Sequence, residues 1–111
     1  MVSREKIIKI IDELFRELTS VDPKIGDVKY RITKDLDQGI FEIKAIGWSG
    51  DRRIFGTIVN IELIGEKIWI HHDGTTEGIA YKLESRGISK SQIVLAWLHE
   101  KERKLTEYAV S

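Results

Sequence analysis

The chain has 111 residues, no cysteine and one proline, and its 18 lysines and arginines balance 18 aspartates and glutamates. Zero net charge leaves no global positive field for a phosphate backbone, so nucleic-acid binding needs a local patch, and the lack of cysteine excludes disulfides, thiol nucleophiles and thiolate metal sites. With 41% hydrophobic and 32% charged residues, the composition is that of one ordered globular domain over residues 1–111, expected in the cytosol because the charged start opens no apolar run fit for a signal peptide or a membrane span.

Ser3 can cap a first helix whose apolar stripe is Ile7, Ile11, Leu14 and Leu18, widened by Ile8 and Phe15; it should end near Thr19 or Ser20, because Pro23 biases Asp22 away from helix. From Val28 the period changes from 3.6 to 2. Val28, Tyr30 and Ile32 alternate with Lys29, Arg31 and Thr33 in a first strand, and Asp35 to Gly39 makes a hairpin loop. The second strand puts Phe41, Ile43 and Ala45 on one face, while its polar face turns apolar at Ile46 and Trp48. After the Ser49-Gly50-Asp51 reversal, a third strand runs from Arg52 to Ile64. Its first half, Ile54 to Ile58, is apolar on both faces, so this end of the sheet is expected to be covered twice. Gly65-Glu66 links it to a fourth strand, Lys67 to His72, completing a meander.

A threonine after Asp73-Gly74 can cap a second helix with Ile79, Ala80 and Leu83 inward, stopped by Gly87. Ser89 and Gln92 have capping-box spacing around one helical turn, and Ile93 to Trp97 reads as a fifth strand or buried extended segment. A charged surface helix over His99 to Leu105 and an extended tail close the chain.

Chemistry-bearing clusters are sparse. His71, His72, Asp73 and Glu77 come nearest to a metal or hydrolytic site, but neighbours on a regular strand face opposite ways, so both histidines cannot reach one ion. The plainer reading is a strand end and an Asp-Gly turn. Asp35 and Asp37 share a loop and read as turn formers; Ser49 and Ser91 have no adjacent base to activate them. Gly47, Gly50 and Gly56 are too dispersed for a phosphate loop. No catalytic residue, metal set or cofactor is expected. What stands out is apolar: Ile46, Trp48, Ile54 and Ile58 are expected on the otherwise polar sheet face, joined by either Trp69 or Ile68 with Ile70, with Arg52 and Arg53 beside Trp48. Tryptophan and arginine are enriched where interfaces concentrate their energy, and an exposed apolar patch marks an interface unless the C-terminal segment folds back over it.

Gly47-Trp48-x-Gly50-x-Arg52-Arg53-Ile54-x-Gly56, Lys67-Ile68-Trp69-Ile70, Asp73-Gly74-Thr75, Gly78-Ile79-Ala80, Gly87-Ile88, Gln92-Ile93-Val94-Leu95-Ala96 and Arg103-Lys104-x-Thr106-Glu107-x-Ala109-Val110 occur in the order seen in the XisI family of fdxN element excision controlling factors. The chain resembles that family over almost its whole length, departing at Leu98 to Lys101. The resemblance implies a small cyanobacterial α+β protein, named for timed excision of a DNA element in heterocysts. There it acts beside a site-specific recombinase and a nuclease-fold partner, XisH. It carries over no catalytic residues.

The expected fold is therefore α+β: an antiparallel four- to five-stranded meander with the N-terminal helix and the second helix on one face. The expected function is a non-enzymatic accessory factor that binds a XisH-like protein through Ile46, Trp48, Arg52, Arg53, Ile54, Ile58 and Trp69. It is expected to dimerise in isolation and to associate with DNA only indirectly, through a recombinase. The alternative is direct nucleic-acid binding through Arg52, Arg53, Arg103 and Lys104.

Overall fold

A computed structural model describes residues 1–111. The elements in chain order are α1 (Arg4–Leu18), β1 (Lys29–Asp35), β2 (Ile40–Ser49), β3 (Arg52–Ile64), β4 (Lys67–Asp73), α2 (Ile79–Ser85), a 3-10 turn (Lys90–Gln92), β5 (Ile93–Leu95) and α3 (Glu100–Arg103). The five strands form one sheet in the order β1-β2-β3-β4-β5. The first four are the expected antiparallel meander, whereas β5 joins parallel to β4, so the sheet is mixed. A parallel neighbour needs a crossover, and α2 with the 3-10 turn supplies it. No helix is long and apolar enough to cross a membrane.

Local chemistry accounts for the helices. Ser3 Oγ accepts from the Lys6 amide at 3.3 Å and starts α1, while Thr19 Oγ1 returns to the Phe15 carbonyl at 2.8 Å and ends it. Ile7, Ile10, Ile11, Leu14 and Phe15 are buried, so four of the six expected stripe residues are inside, joined by Ile10, while Ile8 and Leu18 pack at the margin. The cap of α2 is not a threonine. The Asp73 carboxylate performs that job, accepting from the Ile79 amide at 2.7 Å and from the Thr75 amide at 2.9 Å. An ionised carboxylate there meets orphan amides and the positive helix end together.

Both long helices lie on one face. Ile7, Ile11, Leu14 and Phe15 of α1 and Ile79 and Leu83 of α2 form one cluster with Phe41, Ile43, Val59, Ile61, Leu63, Ile68, Ile70, Ile93 and Leu95 of the sheet. Full burial of each such side chain contributes about 1.5–3 kcal/mol, which makes this face the main source of stability. The other face is covered at one end only. There the C-terminal segment turns back: the Ala109 amide donates to the Ile93 carbonyl at 2.9 Å, Ala109 bridges to Val94, and Val94 is completely buried. At the far end no other element lies over Trp48 or Phe55, which are 46% and 60% exposed. The expected double cover is absent there.

The strand register explains which residues stand at that open end. Ile43 pairs with Val59, but the next residue, Lys44, pairs with Thr57, so Ile58 is an extra residue on β3. Such a bulge reverses the inside-outside alternation beyond it, because side chains repeat with a period of two. Gly47 pairs with Ile54 on the core side, while Ile46 pairs with Phe55 and Trp48 with Arg53 on the other. A second irregularity lies between Asn60 and Ile61, where β4 carries the additional residue His71.

Candidate protein-binding arm

β3 outruns its neighbour. β4 ends with Asp73 opposite Val59, and the Gly74 amide then closes onto the Ile58 carbonyl at 2.6 Å. The β2–β3 hairpin from Lys44 to Thr57 therefore projects as an arm, flanked on the β2 side alone. On that side Asp27 grips it in both directions: its Oδ1 accepts from the Trp48 amide at 2.6 Å, and its amide donates to the Trp48 carbonyl at 3.0 Å. The Trp48 backbone is thus fixed while its ring faces solvent.

The outward face of the arm holds Lys44, Ile46, Trp48, Arg53 and Phe55. Trp48 is 46% exposed and Phe55 60% exposed. Each ring carries a cation: the Arg53 guanidinium lies 5.3 Å from the Trp48 ring centre and the Lys44 ammonium 4.8 Å from that of Phe55. Neither arginine of the arm has a carboxylate partner, whereas Lys44 also reaches Glu42 at 3.7 Å. Flat aromatic surface under one guanidinium without a carboxylate and one ammonium suits a protein surface that brings its own apolar and acidic groups.

Of the residues expected to bind a partner, Ile46, Trp48 and Arg53 share this face. Ile54 and Ile58 do not. The bulge turns Ile54 to the helix-bearing side, and Ile58 packs against the core cluster. Arg52, paired with Ser49, alternates to the same side as Ile54. Phe55 takes the place assigned to Ile54 and Ile58; only an irregular register could have revealed it. Trp69 lies on the outward face as expected but at the covered end, with the Arg103 guanidinium 5.4 Å from its ring centre.

The nucleic-acid set is divided. Trp69 pairs with Glu62, which pairs with Ile40, and Trp48 stands eight residues farther along β2, roughly 25 Å at the strand rise. Arg103 is also committed to structure, donating to the Leu98 carbonyl at 2.9 Å and the Val110 carbonyl at 3.1 Å. Arg52 and Arg53 therefore form no single patch with Arg103 and Lys104.

The histidine cluster is differently arranged from the expectation of opposite faces. The extra residue in β4 brings His71 and His72 toward the same face, where His71 Nε2 meets Glu62 Oε1 at 2.9 Å and His72 pairs with Asn60. Asp73 points the other way, into its turn, and no three His, Asp or Glu residues are placed to hold a metal ion.

The shifted ionisations belong to the C-terminal closure. The Tyr108 phenol, held by burial and by the hydrogen bond it donates to Glu84 at 2.5 Å, is pushed up to about 12. Lys90 meets Glu107 at 2.5 Å, and their hydrogen bond raises the lysine and lowers the glutamate. These groups fasten the tail; no cleft gathers them.

Comparison with known proteins agrees with this architecture. A family model described as XisI protein matches residues 1–110. The crystal structure of a XisI-like protein from Anabaena variabilis has 24% identity and a TM-score of 0.88, with 96% of this chain and 97% of that one covered; it shows the shared fold. The fdxN element excision controlling factor XisI from Anabaena variabilis has 28% identity and a TM-score of 0.74, with 97% and 95% covered. Among curated proteins the sequence has no match.

Proposed function

The chain belongs to the XisI family, and from that premise we propose that it is a non-enzymatic controlling factor for excision of a DNA element, acting by binding a XisH-like nuclease-fold protein. The observation that carries this reading is the projecting arm, with Trp48 and Phe55 open to solvent and cations stacked on both rings. A small domain gains little stability from aromatic rings held in water. It gains a binding surface when the rings meet a partner.

Protein is favoured over nucleic acid as the direct partner. The basic residues of the arm stand apart from Arg103, whose guanidinium is occupied by Trp69 and two carbonyls. Association with DNA then passes through the partner or the recombinase.

The test is co-expression with a XisH-like protein, followed by size-exclusion chromatography with light scattering. A stable hetero-complex is expected. Trp48→Ala or Arg53→Ala should weaken it by roughly 30-fold or more, the cost of removing an interface anchor. Wild-type retention by both variants would reject the arm as the site.

A further inference from the structure

Sheets leave edges, and this one treats its edges unequally. The β1 edge carries Lys29, Arg31, Lys34 and Asp35, charges that discourage another strand from pairing. The β5 edge is covered by the tail through Ala109. The upper part of β3 has neither protection. From Arg52 to Thr57 it pairs with β2 alone, and no loop, turn or cap hydrogen bond reaches its other side. Within that open edge Ile54-Phe55-Gly56-Thr57 include no charge and no proline, and Arg52 and Arg53 stand at its tip.

We propose that this edge pairs with the same edge of a second copy, antiparallel about a two-fold axis at Phe55, joining two five-stranded sheets into one. A two-fold axis perpendicular to the sheet keeps like faces together and sets each residue opposite its mirror position. Phe55 then faces Phe55 of the copy, Ile54 faces Gly56, and Arg53 faces Thr57. The fit is specific at each pair. The two phenylalanines form an aromatic cross-strand pair, and Gly56, with open space where a side chain would stand, leaves room for the isoleucine.

Charge selects this occupant. Arg53 lacks a carboxylate partner within its own chain, and the Thr57 it would face is bonded through Oγ1 at 3.1 Å to Glu42, whose carboxylate also accepts from the Asn60 amide at 3.0 Å and has Lys44 at 3.7 Å as its one cation. Each copy thus brings an unpaired guanidinium to the other's Glu42, an exchange that occurs twice across the axis. The open edge is also the right length: the pairs from 53 to 57 lie wholly within the stretch that β4 leaves free.

The test uses the purified chain alone, which separates it from the partner reading above. Light scattering should give the wild-type protein twice its 12.8 kDa chain mass. Phe55→Glu and Phe55→Lys should each be monomeric at a concentration where the wild type is dimeric, because either substitution sets like charges against each other at the axis. Mixing the two variants should restore the dimer, since glutamate then faces lysine, and recovery also proves both variants folded. A wild-type monomer at its highest soluble concentration, a dimer that survives Phe55→Glu, or a mixture that stays monomeric would each overturn the proposal.

Discussion

Val2 and Gln92 hold each other by two hydrogen bonds, one in each direction: the Val2 amide donates to Gln92 Oε1 at 3.0 Å, and Gln92 Nε2 donates to the Val2 carbonyl at 2.9 Å. Gln92 is completely buried and its second amide hydrogen reaches the Glu66 carbonyl at 3.0 Å. One side chain therefore ties the chain start, the β3–β4 turn and the approach to β5. Gln92→Leu leaves a buried donor and two acceptors unsatisfied and should cost about 2–3 kcal/mol, lowering the melting temperature by roughly 10 °C or more in a chain of this size. Gln92→Glu should also destabilise, because an ionised carboxylate cannot donate to either carbonyl. Denaturant midpoints for both variants measure the effect, and wild-type midpoints would deny it.

Two glycines should respond to alanine to very different extents. Gly39 is buried with a φ of +72°, its carbonyl accepts from the Leu63 amide at 2.7 Å, and an added Cβ would collide with the Leu63 carbonyl oxygen. Gly39→Ala should destabilise by about 2–4 kcal/mol through backbone strain and the forced shift of β3. Gly56 has nothing within 4 Å of that position, so Gly56→Ala should change stability by less than about 1 kcal/mol. Thermal melts of the pair, read side by side, decide it.

The two outward tryptophans should separate stability from recognition. Trp69→Ala removes the surface under Arg103 and should cost about 2–3 kcal/mol, less than a fully buried aromatic because the ring is half-buried. Hydrogen exchange at the Ala109 amide should accelerate in step, since that bond closes the tail over Val94. Trp48→Ala should cost no more than about 1 kcal/mol while affecting partner binding. Equal losses for the two would mean that both rings are structural.

Alkaline titration should expose Tyr108. Its folded value of about 12 exceeds the ordinary 10, so its contribution to stability is complete below pH 10 and is lost as pH rises from 10 toward 12. Ultraviolet difference spectroscopy should show one of the three tyrosines ionising late, and Tyr108→Phe should delete that late step. If Tyr108→Phe leaves the titration unchanged, the hydrogen bond to Glu84 is not holding the proton.

Elements whose pattern is local were legible in the sequence. The first helix with its Ser3 cap, the bounds of β3 at Arg52 and Ile64, and the meander order follow from periodicity and turn residues. Relationships that depend on a distant partner were not. Gln92 has capping-box spacing to Ser89, whose Oγ donates to its Oε1 at 3.3 Å, but its other bonds go to Val2 and Glu66, far away in sequence. Arg103 looks like one charge among many on a short helix until Trp69 lies beneath it. The run from Ile54 to Ile58 has apolar side chains at Ile54, Phe55 and Ile58, interrupted only by Gly56 and Thr57, so composition does not mark where an extra residue enters. Alternation carried back from Val59 therefore assigned Ile54 and Ile58 to the wrong face.

That extra residue makes the chemistry of the arm depend on counting. Insert one amino acid between Ile43 and Lys44, opposite Ile58, and the same letters spell a different surface: Ile54 would turn outward with Gly47, while Phe55, Trp48 and Arg53 would turn inward. Substitution changes such a surface one side chain at a time. A single-codon insertion would exchange all of them at once, giving a descendant of this chain a new set of associates in one mutational step.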